Sequence, residues 1–367
     1  MTLLETRSLT VHFSVKRGLT RRSADVVHAV DDVDLAIEAG QTLALVGESG
    51  SGKTTVAHAM LGLVKPTAGQ VLYRGVDITR QGGKQRRGMA RELQVVFQDP
   101  YSSLDPRMTV RDIIAEPLRV HERWKAQQLN DRITELLEMV GLGTQHLRRR
   151  PHEFSGGQCQ RIAIARALAV EPRVIVLDEP TSSLDVSVQA RVLTLLEDLQ
   201  QRLDLAFLFI AHDLAVVASV ADAVAVMYLG RIVEIGLAAA VLSHPLHPYA
   251  EALTASVPRP DPEERCTRAP LAGDVPSAID PPSGCRFHPR CVCRTDLCST
   301  EQPLLREMDG RLVACHTPGY AADIAPADLS ASNQTTQHDA PGRPAGRRAA
   351  GVESPSRSAP ARRASRP

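Results

Sequence analysis

Eight consecutive residues, Gly47-Glu-Ser-Gly-Ser-Gly-Lys53-Thr54, constrain this chain more than any other feature of it. They fit G-x-x-x-x-G-K-[ST] and stand directly after the apolar run Gln41-Thr-Leu-Ala-Leu-Val46 and before a helical run from Thr55 to Val64, the strand–loop–helix context that gives the pattern its meaning. Glycines at 47, 50 and 52 let the backbone curl so that successive N–H groups and the helix N-terminus point at a phosphate. Lys53 then reaches the β and γ phosphates, and Thr54 offers its hydroxyl to magnesium. A second oxygen ligand should come from the end of another strand, and Val174-Ile-Val-Leu-Asp178 places Asp178 at the carboxyl edge where open α/β sheets bind ligands. A glycine turn with an ordinary surface lysine would not bring that second motif with it.

The surrounding pattern agrees with a buried parallel sheet. Arg173 to Asp178 and Leu205 to Ile210 are short β-branched runs, and amphipathic stretches such as Lys125 to Met139 and Val188 to Leu203 separate the strands. This texture holds to about residue 255. Seven prolines between Pro258 and Pro282 then break any long element, which places a domain boundary near Ser256. Beyond Tyr320 large apolar residues almost vanish, and residues 340–367 carry seven arginines against the single acid Glu353, a composition expected of a disordered basic tail. The 367 residues balance 43 basic against 42 acidic side chains, so there is no overall field to hold nucleic acid or an anionic membrane. No apolar run reaches the ~18–20 residues of a bilayer span, and no secretory block opens the chain, which predicts a soluble, cytoplasmic protein unless a partner brings it to a membrane.

Three further features go beyond a bare nucleotide site. Phe154-Ser-Gly-Gly-Gln158 precedes the helical run Gln160 to Ala169 and forms a second loop able to present N–H groups. Glu179, beside Asp178, is a carboxylate placed to polarise an attacking water, and His212 follows the strand ending at Ala211 and so reaches the same sheet edge. These elements, with Gln98 in Val95-Val-Phe-Gln-Asp99 and Ser183-Leu184-Asp185, stand in an order that resembles the ATP-binding cassette (ABC) ATPases over roughly residues 1–255.

The resemblance implies an α/β fold: a RecA-like core, an antiparallel β subdomain and a helical subdomain at about 99–166. It also implies a head-to-tail dimer with two ATP molecules held between the 47–54 loop of one subunit and the Ser155, Gly156, Gly157, Gln158 loop of the other. By that likeness Gly47, Ser49, Gly50, Ser51, Gly52, Lys53, Thr54 and Thr55 bind nucleotide. Thr54, Gln98 and Asp178 hold Mg2+, Glu179 is the general base, His212 senses the γ-phosphate and Asp185 links the two sites. Phe13 is the candidate to stack on adenine, with a buried core phenylalanine as the competing reading and an insertion near Arg17 to Val26 blurring the spacing. Cys159 departs from the basic residue common after this loop. It reads as a small inert side chain before an activated thiol.

Gln98-Asp-Pro-Tyr-Ser-Ser-Leu-Asp-Pro106, Leu184 to Ala190, His247-Pro-Tyr249 and the ending from Gly284 to His316 are similar to the dipeptide and oligopeptide importer ATPases, in particular the F-type subunit of their ATPase pair. Residues 256–320 then correspond to the C-terminal extension of that branch, and 321–367 to the tail. Five of seven cysteines fall between Cys285 and Cys315, and in a reducing cytosol such crowding suggests metal before disulfide. Cys285, Cys291, Cys298 and Cys315 lack the C-x2-4-C knuckles of structural zinc, and the resembled branch points to a 4Fe–4S cluster, with zinc or unliganded thiols as alternatives. Cys266 and the extra Cys293 stand apart from the set, and His288 and His316 flank it.

The expected activity is ATP hydrolysis powering import of di- or oligopeptides from the cytoplasmic face of the inner membrane. The expected partners are a second ATPase subunit, two transmembrane permeases and an extracytoplasmic binding protein, without nucleic acid. Importers of nickel or sugar, a non-transport ABC ATPase working on nucleic acid or ribosomes, and a regulatory ATPase are the rivals.

Overall fold

The computed structural model describes residues 1–16, 24–256 and 273–319. The described strands are β1 (Thr2–Lys16), β2 (Ala24–Glu38), β3 (Thr42–Val46), β4 (Ala68–Tyr73), β5 (Val76–Asp77), β6 (Leu93–Val96), β7 (Val174–Asp178), β8 (Ala206–Ala211), β9 (Ala223–Tyr228), β10 (Arg231–Leu237), β11 (Arg306–Met308) and β12 (Arg311–Val313). They make two sheets. One is antiparallel with order β2-β1-β4-β5; the other runs β11-β12-β10-β9-β3-β8-β7-β6 and is parallel from β9 through β6.

Every residue of β3, β7 and β8 is buried, as strands covered on both faces must be. Alternation then divides them between two cores. Ala44, Val46, Ile175, Leu177, Phe207 and Phe209 pack on the side of the helices Val110–His121, Ala126–Met139 and Gly156–Leu168. Their neighbours Leu43, Leu45, Val174, Val176, Leu208 and Ile210 pack on the other side, with Leu4, Leu9, Val30 and Ile37 of the antiparallel sheet and the helix Lys53–Met60. Period-two geometry therefore sandwiches the main sheet between the helical layer and the small sheet.

The expected strands fall within one residue of the observed ones. The first helix is shorter than the pattern from Thr55 to Val64 predicts. It ends at Met60, and Gly62 turns the chain with a φ of 66° that a helix cannot continue. No described helix is long and apolar enough to cross a membrane.

The residues after 273 do not stand clear of the cassette. β12 pairs antiparallel with β10, Glu234 opposite Val313, and so extends the main sheet. Beneath that pairing Glu234 is fully buried; it accepts from the Leu246 and His247 N–H groups and pairs with Arg311 at 3.2 Å. Burial raises its carboxyl pKa, and those bonds and the arginine pull it back. The Arg17 to Val26 insertion is described only from Ala24 onward; Cys266 and the basic tail lie outside the described residues.

Candidate nucleotide site

Four neighbouring parallel strands deliver the site from their carboxyl ends: the 47–54 loop follows β3, His212 follows β8, Asp178 closes β7, and Gln98 follows β6. That is the edge at which an open α/β sheet presents ligand groups. A cleft of about 440 Å3 opens there, lined by Gly50, Gly52, Lys53, Thr54, Gln98, Glu179 and His212 among others, with Ser49 and Thr55 also on its wall.

The loop has its shape because two glycines admit nothing larger. A β-carbon on Gly47 would lie 2.1 Å from the Met227 carbonyl oxygen, and one on Gly52, at φ 107°, would lie 2.2 Å from that of Ala29. Lys53 is buried, and its ammonium donates to the Gly47 and Glu48 carbonyls at 2.8 Å and lies 3.4 Å from the Ser51 hydroxyl. Desolvation pulls its pKa down, and the carboxylates of Glu179, Asp178 and Glu48 push it back up. A phosphate would repay that buried cation.

The acidic edge is equally built. The Thr54 hydroxyl donates to Asp178 Oδ1 at 3.2 Å, pairing the two expected magnesium ligands before any ion binds. Burial raises the Asp178 pKa, and the Thr54 hydrogen bond opposes the rise. A hydroxyl, a carboxylate and the Gln98 carbonyl oxygen are hard donors suited to Mg2+, so these residues fit the ion. Glu179 has φ 46°, a left-handed backbone that a side-chain-bearing residue adopts at a cost and that clusters at functional sites. Its carboxylate accepts from Gln98 Nε2 at 2.7 Å and lies 3.4 Å from His212 Nδ1.

Phe13 lies in β1 opposite Val27, which lines the cleft, and is 40% exposed, so it is not a core residue; the cleft wall does not include it. The second loop lies outside this cleft too. Ser155 caps the helix Gly156–Leu168, its hydroxyl accepting from the Gln158 N–H at 3.4 Å while Gln158 Oε1 accepts from the Ser155 N–H at 3.1 Å, a reciprocal capping box. Gly157 is pressed so closely that a β-carbon would meet Val188 Cγ1 at 2.2 Å. Asp185 caps the helix Val186–Leu203 by accepting from the Val188 N–H at 2.9 Å, and the Ser187 and Val188 hydrogen bonds lower its pKa. Cys159 is fully buried, its thiol pKa pushed up to about 11 by desolvation, which makes it the inert side chain rather than an activated one.

The 4Fe–4S expectation for Cys285, Cys291, Cys298 and Cys315 is corrected. Among the described residues, the one set of three or more potential ligand atoms lying within 4.8 Å of one another is His12, His28 and Asp31; no set of thiols meets that spacing. The cysteines are near each other, with the Cys285 N–H donating to the Cys298 carbonyl at 2.8 Å; Cys285, Cys298 and Cys315 are buried and Cys291 is half-buried. Cys285 and Cys298 join the apolar core, Cys291 interacts with Cys293, and Cys298 Sγ lies 3.5 Å from the Thr295 N–H. Desolvation pushes the Cys285 thiol up to about 11 and raises that of Cys315. The appendage is held by ion pairs and a strand instead. The Asp31 carboxylate of the histidine trio is likewise engaged, by the Arg286 guanidinium.

The motifs gave no sign of five residues that build the site. Val27 and Ala29 of β2 and Ala278 of the extension line the cleft, and Glu48 is anchored from outside the loop: its N–H donates to the Tyr249 hydroxyl at 2.8 Å and its carboxylate pairs with Arg290. Only the spacing of His247-Pro-Tyr249 and Cys285 to Cys291 marked those regions in the sequence, and neither pointed at the phosphate loop.

A glycine loop around a buried lysine, a paired threonine and aspartate, a strained carboxylate beyond them and a capped Ser-Gly-Gly-Gln loop on a helical layer are the arrangement of an ABC-type ATPase, and residues 30–182 match the ABC transporter family model. Residues 233–298 match the oligopeptide/dipeptide transporter C-terminal region. The chain is 49% identical over 331 residues to a probable peptide ABC transporter ATP-binding protein of Sinorhizobium fredii, covering 89% of this chain and 94% of that protein. It is 46% identical to the di/tripeptide transport ATP-binding protein DppF of Pseudomonas aeruginosa, covering 86% and 97%. Among solved structures, a dimeric, ADP- and phosphate-bound post-hydrolysis state of the ATP-binding cassette MJ0796 superposes with a TM-score of 0.57 at 26% identity, covering 64% of this chain and 99% of that one. The chain belongs to the ATP-binding subunits of the oligopeptide/dipeptide ABC transporter family. As such it is an ATP-hydrolysing subunit that works with ATP and Mg2+.

Proposed function

We propose that this chain powers the import of di- or oligopeptides through a membrane ABC transporter, as the F-type member of an ATPase pair. The observation that carries this reading is the coincidence, in one chain, of the complete cleft with a C-terminal region matching that of oligopeptide/dipeptide transporters. A nucleic-acid role has no overall basic field to support it, with 43 basic against 42 acidic side chains.

The geometry supports a definite division of labour. Lys53 and the 50–52 amides hold the β and γ phosphates, and Phe13, beside Val27, offers an exposed ring for adenine. Mg2+ held by Thr54, Gln98 and Asp178 would neutralise charge on the phosphate oxygens. Glu179, steered by Gln98 and His212, takes a proton from the attacking water, and His212 reads the γ-phosphate. The Ser155, Gly156, Gly157, Gln158 loop and Asp185 lie outside this cleft, which is intelligible if they complete a partner's site. ATP would then drive closure because it touches two subunits in the closed dimer and one in the open. In this proposal the cassette spans 1–255 with its helical subdomain at about 99–166, the extension 256–320 and the tail 321–367. The chain sits peripherally at the cytoplasmic face with two permeases and an extracytoplasmic binding protein feeding them.

Deleting the chain from its host and measuring uptake of a labelled tripeptide and of Ni2+ tests this. Loss of peptide uptake alone supports it; loss of Ni2+ uptake with peptide uptake intact overturns it.

A further inference from the structure

Glu48, the second residue of the phosphate loop, is tied to the C-terminal extension. Arg290 Nη1 lies 2.7 Å from Glu48 Oε2 and Nη2 lies 3.1 Å from Oε1, the parallel two-bond fork that gives guanidinium–carboxylate pairs their directional strength. The Arg290 side chain is 6% exposed, and its guanidinium lies 5.9 Å from the centroid of the Tyr228 ring. At the backbone of the same residue, the Glu48 N–H donates to Tyr249 and the Glu48 carbonyl accepts from Lys53 Nζ at 2.8 Å. One residue therefore joins the extension at its carboxylate to the phosphate-binding lysine at its carbonyl.

Two further contacts bring the extension to the same edge. Arg286 donates to the Leu229 carbonyl and pairs with Asp31, whose N–H donates to the Gly230 carbonyl, while the Gly230 N–H donates to the Ser51 carbonyl at 2.8 Å. The Ala278 carbonyl accepts from the His28 N–H at 2.8 Å, and Ala278 lines the nucleotide cleft. An appendage that served only to fold on itself would need none of these contacts.

We infer that the C-terminal extension sets the nucleotide affinity of the phosphate loop through the Arg290–Glu48 pair, Arg290 acting as a positioning residue for Lys53. This rests on the reading of residues 47–54 as the phosphate cradle. With the pair formed, Glu48 fixes the loop in the conformation that presents its N–H groups. Broken, the carboxylate is left partly buried without its cation and the loop relaxes to solvate it. Because coupling free energies are reciprocal, bound ATP must in turn hold the extension more tightly.

The experiment titrates full-length protein with trinitrophenyl-ATP and repeats it with Glu48→Gln, Arg290→Gln and the double variant. Each single variant should weaken binding ~10-fold, the scale on which groups that orient a ligand residue act, and the double should be no weaker than either. In the wild type, ATP should slow amide exchange over 285–291, and in Arg290→Gln it should not. Wild-type affinity in Glu48→Gln, which leaves the extension's own residues untouched, overturns the inference even if Arg290→Gln fails to fold; so do additive losses in the double variant. Lys53→Ala separates this claim from its foundation. If that variant keeps wild-type affinity, the phosphate-loop reading falls and the inference with it; if it loses binding while Glu48→Gln does not, the inference falls alone.

Discussion

The molecule carries two glycine loops at helix N-termini, and they are built to different degrees of completion. The 47–54 loop faces a cleft that already holds a buried lysine, a paired threonine and aspartate, and a carboxylate steered from two sides. The 155–158 loop is as tightly specified, by a reciprocal cap and by Val188 against Gly157, yet lies away from that cleft and its acids. Equal precision with unequal surroundings is the contrast that the proposed head-to-tail pair of cassettes accounts for: there the second loop would meet a ligand whose other contacts come from the partner.

The largest effect should come from Glu179→Gln, which removes the proposed base from the complete site while leaving its phosphate contacts. Phosphate release should fall by ~10²- to 10⁴-fold with ATP binding retained; turnover at the wild-type rate would take the base role from Glu179. Next is the isolated chain in a dilution series. Turnover per molecule should fall as the concentration drops and recover when a second cassette is added, whereas brisk, concentration-independent hydrolysis would erase the contrast between the loops.

Glycine substitutions weigh the two loops against each other. Gly52→Ala should abolish nucleotide binding or folding, since its β-carbon would strike the Ala29 carbonyl at a positive φ. Gly157→Ala meets a side chain instead, and should cost about 1–3 kcal/mol in thermal unfolding. Val188→Ala should recover most of that loss, and no recovery would mean that the close fit is not what fixes this loop.

The smallest effect concerns the support beneath the first loop. His247 is fully buried beside Tyr249, and desolvation lowers its pKa from 6.5 to about 3, so it stays neutral in the fold. The unfolded chain then binds the extra proton, and stability that is complete above pH 6.5 should decline by about 1.4 kcal/mol per pH unit toward pH 3 from this group. His247→Asn, which keeps an acceptor for the Tyr249 N–H, should flatten the denaturation profile by one proton's slope. An unchanged slope would remove His247 from that account.

Much of this was legible in the chain itself, for a physical reason. Phosphate and magnesium chemistry needs particular residue types at fixed local spacing, so Lys53, Thr54, Asp178 and Glu179 stood out as candidates in the sequence and the structure brings them to one sheet edge, while short continuous apolar runs marked β3, β7 and β8 within a residue. The cysteines show the opposite case. Spacing along a proline-broken segment says little about where sulfur atoms end up, and burial with hydrogen bonding turned Cys285, Cys291 and Cys298 into packing thiols.

The sequence by itself determined the nucleotide loop, the strands that aim its partners and the family, because each is a short-range pattern. Only the tertiary structure decided that Glu48 answers to Arg290, 242 residues away, and that Ala278 reaches the cleft. Contacts across such a distance are set by how β10 and β12 join one sheet and fold the extension back on the cassette, and no local rule encodes that return.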